Sequence, residues 1–190
     1  VHIARTDVLQ TPGHTPSPHT SVRTLLSQLI LCNLYLGVGE GAYAAGLRYT
    51  REDAHPWPAA QVLRAHEDPF TQHRYGEFRV ALRAAQVVTD EAASLLQAAL
   101  DQGADLTQVE RGDLAMAISE AKVLTHRAGL DVSTQFLELT GARSTSAKYG
   151  FDRFWRNVRV HTLHDPVDYR LRELGRHALT GQYPEPGAYT

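Results

Sequence analysis

Three stretches of about thirty residues carry apolar side chains at three- and four-residue steps, and this helical periodicity constrains the fold more tightly than any other feature of the chain. The first runs from Ser21 to about Glu52 through Leu25, Leu26, Leu29, Ile30, Leu34, Leu36 and Val38, with Thr20 or Ser21 placed to cap it. The second opens at Asp68-Pro69, a capping acid followed by proline at the first helical position. It continues to about Asp101 through Phe70, Tyr75, Phe78, Leu82, Ala85, Val88, Ala92, Leu95 and Ala99. Thr107 and Glu110 form a capping-box pattern for the third, which carries Leu114, Ile118, Ala121, Val132, Phe136 and Leu139 to Gly141. A shorter helix is predicted over Phe151 to Thr162, and Asp165-Pro166-Val167-Asp168 opens a fifth to about Leu179. Helices ~45 Å long joined by short connections make a mainly α, up-and-down bundle.

Gly37, Gly39, Gly41 and Gly46 lie in the second half of the first stretch. Each costs a helix about 1 kcal/mol, so the pattern predicts a neighbouring helix in close approach. A glycine-rich phosphate loop would need a preceding strand and a different spacing. Ahead of the helices, VHIARTDVL alternates like a half-buried strand and TPGHTPSPH reads as a Pro-rich loop. A lone strand has nothing to pair with, so the chain is expected to begin inside a larger domain: strand and loop of a β-domain over 1–19, helical bundle over 20–180, polar tail over 181–190.

Nineteen basic against twenty-one acidic residues give a net charge of −2, without the excess of positive charge on which general nucleic-acid and membrane-surface binding depend. Cys32 is the one cysteine and reads as a small buried hydrophobe. No apolar run reaches the ~18 to 20 residues of a membrane span, and no signal peptide is visible, so the expectation is a cytoplasmic protein that engages no membrane.

The segment RFWRNVRVHTLHDP, Arg153 to Pro166, concentrates the chemistry. His161 and His164 are three apart and would share a helix face, but a metal needs three or four ligands and no companion pair has the spacing; no metal site is expected. Arg153, Arg156 and Arg159, with Arg170, Arg172 and Arg176 beyond, fit a solvated face paired with acids, a nucleic-acid stripe, or forks for an anionic cofactor beside a titratable imidazole.

The segments RYTREDAHPW, EDPFTQHRYGEF and LELTGARSTSAKYGFDRFWRNVRVHTLHDPVDYRLRELGRHALTGQYP resemble the C-terminal helical domain of the acyl-CoA dehydrogenase fold, in its dibenzothiophene-monooxygenase-type, flavin-dependent branch. The resemblance covers nearly the whole chain and accounts for the orphan strand. It implies reduced FMN (FAD as the alternative) delivered by a separate reductase, oxygen transfer from a flavin C4a-peroxide to a sulfur-containing or aromatic small molecule, and assembly into a homotetramer. It also implies His164 beside the flavin ring with His161 in the same pocket, Arg143 reaching the flavin of a neighbouring subunit, and Ala142 approaching by its backbone. His55 stands where relatives carry the arginine expected to hold the FMN phosphate; Arg51 or Arg74 are the stand-ins. The acyl-CoA dehydrogenase reading lacks its glutamate base, because HTLHDP replaces the late Glu-Gly-Thr turn and Thr20 to Gly39 contains no acid. A non-catalytic oligomerisation module is the remaining alternative.

Overall fold

The computed structural model describes Ala4, residues 17–187, Tyr189 and Thr190; apart from Ala4 the expected N-terminal strand lies outside the described residues. Five α-helices follow: α1 Pro18–Glu52, α2 Pro69–Gln102, α3 Gln108–Thr140, α4 Asp152–Thr162 and α5 Val167–Thr180. No strand occurs among the described residues.

The caps explain the boundaries. Asp68 accepts from the Phe70 amide at 2.9 Å ahead of Pro69, and Thr107 with Glu110 closes a reciprocal capping box. The start of α1 is earlier than expected because Ser17, not Thr20 or Ser21, accepts from the Thr20 amide at 3.2 Å, with Pro18 as first helical residue. At α5 the expected Asp165 cap does not form. Pro166 occupies the cap position without a side-chain bond, and Asp165 is buried in an ion pair described below.

α1, α2 and α3 run up, down and up. Val22, Leu25 and Leu29 near the start of α1 meet Leu96 and Ala99 late in α2 and Leu114 and Ile118 early in α3. A second cluster joins Leu36, Ala42 and Tyr49 to Tyr75, Phe78 and Leu82, then Val132, Phe136 and Phe151. Helix α3 is central, packing on each of the other four helices. By length and composition α1 could cross a membrane, although charged and polar residues interrupt its apolar run; here it packs as a core helix on α2, α3 and α4.

The close approach predicted from the glycines occurs where α1 crosses α3. A Cβ on Gly39 would come within 2.9 Å of Leu82 and 3.3 Å of the Gly129 Cα, and one on Gly129 would lie 2.9 Å from the Tyr35 carbonyl oxygen. Gly37 differs, with nothing within 4 Å of its would-be side chain. The three-and-four spacing also over-assigned the core: Leu26, Ile30 and Leu34 are exposed, as is Phe70, and Leu96 is buried where Leu95 was expected. Helices this long expose a face over their whole length, and periodicity alone does not say how wide the covered stripe is.

Candidate active site

The α4–α5 corner carries the two histidines. Pro166 lacks an amide hydrogen and restricts Asp165 before it, so α4 cannot run on into α5. The chain turns through Leu163, whose amide bonds back into α4, and through a His164 amide that donates to the His161 carbonyl at 3.1 Å. Two contacts, one part-buried and one buried, fix this corner to the bundle. Tyr35 Oη of α1 donates to the His161 carbonyl at 3.1 Å. Lys122 Nζ of α3 donates to Asp165 Oδ2 at 2.5 Å and also to Gln28 Oε1 of α1. Lys122 is fully buried and Asp165 4% exposed, so this pair links three elements out of reach of water. Burial pushes the Lys122 ammonium below its ordinary value, and the Asp165 carboxylate opposes that shift.

With the backbone held inside, both imidazoles face outward as exposed side chains. The His164 ring meets the Tyr189 ring edge-on at 5.8 Å. Beneath the corner lies His126 of α3, half-buried and edge-on to Tyr35 at 6.3 Å. Burial first, then the charges of Arg159, Lys122 and Arg127, hold it below its ordinary 6.5, so it stays neutral near pH 7.

The basic row divides. Arg156 pairs with Asp152 on an exposed face, and Arg153 donates to the Tyr149 and Gly150 carbonyls while lying over the Phe154 ring. Arg170 departs from the solvated reading: it is 5% exposed, 2.9 Å from Glu173 Oε2, and donates to the Tyr189 carbonyl at 3.0 Å. Of the neighbouring aromatics, Phe151 is core while Trp155 is exposed.

His55, Ala142 and Arg143 come together at the other end of α4. Gly141, at φ +75°, ends α3 in a conformation that suits glycine, and a turn over Ala142–Thr145 follows. Buried Ser144 anchors the turn through 2.7 Å bonds to the Thr140 hydroxyl and the Gly141 carbonyl. At the end of α1 the Asp53 and Ala54 amides both donate to the Tyr49 carbonyl, which brings His55 alongside. Arg143 Nη1 donates to His55 Nε2 at 3.2 Å, so that ring nitrogen is an unprotonated acceptor. Between them is a hollow of about 170 Å³ that also touches Tyr49, Asp53 and Thr140. It is below the ~300 Å³ of a whole small-molecule site and suits one oxyanion or ring edge at a guanidinium fork. The Ala142 carbonyl is taken by the Thr145 hydroxyl at 2.7 Å.

The structure therefore makes two groups of the five candidate residues, His55, Ala142 and Arg143 ahead of α4 in one and His161 and His164 at its end in the other. Neither stand-in arginine joins His55: Arg74 pairs with Glu77 and Glu138, and Arg51 lines a separate cavity with Arg64 and His66. Among the described residues no three His, Cys, Asp or Glu side chains gather as a metal site would require. Lys122, Gln28 and His126 were not singled out from sequence. The available signal was Lys122 itself, a charge four residues after Ile118 on the core face of α3.

Residues 29–169 match the family described as acyl-CoA dehydrogenase, C-terminal domain. Over 162 residues, 85% of this chain and 39% of the relative, the chain is 49% identical to dibenzothiophene monooxygenase of Rhodococcus erythropolis. Over 190 residues it is 43% identical to the probable FMNH2-dependent monooxygenase SfnC of Pseudomonas putida, covering 100% of this chain and 48% of that protein. The crystal structure of FMN-bound TdsC from Paenibacillus sp. A11-2 superposes with a TM-score of 0.87 at 37% identity, over 90% of this chain and 43% of that one. The chain spans less than half the length of each.

Proposed function

The chain belongs to the acyl-CoA dehydrogenase C-terminal domain family, and from that premise we propose that it is the helical domain of an FMN-dependent monooxygenase acting on a small sulfur-containing or aromatic molecule. The observation that carries this over acyl-CoA oxidation is the state of the α4–α5 corner. Its one carboxylate inside the turn, Asp165, is buried and held by Lys122, so it cannot serve as a base, whereas two imidazoles are free at the surface.

The donors at the far end of α4 fit a flavin mononucleotide. Arg143 offers a fixed guanidinium to a phosphate or a pyrimidine edge, with the His55 ring bonded beside it. When bound, reduced FMN would supply the two electrons that activate O2, one atom of which is transferred while the other leaves as water. The chain contributes proton management and placement. His164 is exposed and carries a ring N–H that can donate to a bound group. His161, one turn earlier, keeps a second such donor on the same side. The Lys122–Asp165 pair and the Tyr35–His161 bond tie the backbone that carries both rings to the bundle.

Because the hollow at His55 and Arg143 holds only part of a nucleotide, the rest of the flavin site comes from outside these helices. In this reading the protein is a cytoplasmic homotetramer in which Arg143 serves a neighbouring subunit's flavin, a separate flavin reductase supplies the reduced cofactor, and the described helices alone bind FMN weakly and are inactive. Full-length protein with a flavin reductase, NADH and O2 should oxidise a sulfur heterocycle or a phenol. The His164→Ala variant should lose that turnover while keeping its oligomeric state. Acyl-CoA-dependent dye reduction in place of oxygenation would overturn the proposal, and full turnover by His164→Ala would remove His164 from it.

A further inference from the structure

We propose that Arg111 and Arg176 form a second anion site, between the start of α3 and the end of α5, that takes a small oxyanion of the phosphate or carboxylate type. Arg111 is 1% exposed. Its Nε donates to Ser21 Oγ at 2.9 Å, while Nη1 and Nη2 have no partner and no carboxylate lies within ion-pair distance among the described residues. A guanidinium cannot shed its proton to escape burial, so it keeps its full charge with its forked edge unsatisfied. Native proteins pair such a charge, since leaving it alone costs several kcal/mol. Water can satisfy the hydrogens but cannot supply the counter-charge.

The surroundings supply the rest of a receptor. Arg111 borders a cavity of about 590 Å³ with Gln108, Arg176 and Gln182, under the Tyr183–Pro186 strap. Arg176 brings a second positive charge and is tied to the strap through the Tyr183 carbonyl at 3.2 Å. Gln108 is the first residue of α3, so the cavity also adjoins a helix N-terminus. The nearest acids in sequence are both engaged elsewhere: Glu110 accepts from Thr107 and from Gln102, and Asp113 accepts from Tyr183 Oη at 2.5 Å. Glu185 is an exposed carboxylate on the rim, without an ion pair among the described residues. This site is distinct from the His55–Arg143 hollow and does not depend on the proposed reaction.

The test is thermal unfolding and isothermal titration of the full-length protein with inorganic phosphate, then with acetate, against chloride at equal ionic strength. Saturable binding should raise Tm by about 2 °C at ten times Kd. The response should vanish in Arg111→Leu, weaken roughly threefold in Arg176→Gln, and persist in Arg143→Ala, which isolates it from any phosphate bound at the flavin donors. Glu185→Gln should leave it equal or stronger. Phosphate and acetate both failing to exceed chloride overturns the proposal, as does a response lost in Arg143→Ala but kept in Arg111→Leu. A Glu185→Gln variant as destabilised as Arg111→Leu would also refute it, by identifying Glu185 as the missing partner. If Arg111→Leu does not fold, the Arg176→Gln titration decides alone.

Discussion

Replacing Lys122 by methionine isolates what the buried ion pair contributes. Methionine keeps most of the side-chain volume, so the change removes the charge and leaves Asp165, 4% exposed, without its counter-ion, and Gln28 without its donor. Breaking one side of such a pair costs about 3–5 kcal/mol. For a domain of this size each kcal/mol moves Tm by about 2–4 °C, so the expected fall is roughly 6–20 °C. The double variant Lys122→Met/Asp165→Leu removes both charges and should recover most of that loss, because a buried pair is worth little against well-packed apolar residues. Recovery of stability without recovery of oxygenation would show that the pair sets the geometry of the His161–His164 corner. Circular dichroism melts of the wild type and the two variants, with an oxygenation assay of the double variant, are sufficient. A Lys122→Met protein within about 1 kcal/mol of wild type would refute the reasoning, since Asp165 would then be reaching water or a proton at little cost.

Further outcomes can be checked separately. Gly39→Ala should destabilise by about 1–3 kcal/mol, because its methyl would sit 2.9 Å from Leu82 and against Gly129. Gly175→Ala in α5, where nothing lies within 4 Å, should stabilise by about 0.5–1 kcal/mol; urea titrations that rank the two the other way contradict the packing. His126 has a folded pKa below its ordinary 6.5, so the unfolded chain binds the extra proton first. Stability should be lost as pH falls below 6.5, and His126→Gln should flatten that slope in melts between pH 7 and 5. His55→Arg should strengthen FMN binding by the full-length protein about tenfold, the gain of a charge-assisted fork, with a fluorescence titration showing no change counting against a phosphate at this position.

The helices and their order were legible because each long helix announces itself several times. Asp68-Pro69 and the Thr107–Glu110 box set starts, Gly103 and Gly141 set stops, and apolar steps fill the space between. The first cap was misjudged because Ser17, Thr20 and Ser21 are all capable, and only the chain's path selects among them. Asp165 was read as a cap because Asp-Pro is locally a cap signal. Its partner Lys122 lies 43 positions away, and no local pattern encodes that contact. The same holds for Arg170 and Arg111, whose burial depends on the tail and on α1 lying over them. The adjacency of His55 and Arg143, 88 positions apart, is likewise a product of the bundle. Resemblance pointed to both residues, while spacing pointed to neither.

The Lys122–Asp165 pair also bears on how this lineage can change. Any single substitution that removes one of the two charges strands the other in the interior, so a stepwise route to an apolar pair passes through a destabilised chain. Drift should therefore remodel the outward helix faces freely while these two positions change together or not at all. The orientation of the α4–α5 turn is inherited with them, so the residues around the two histidines can vary while the mount beneath them stays the same.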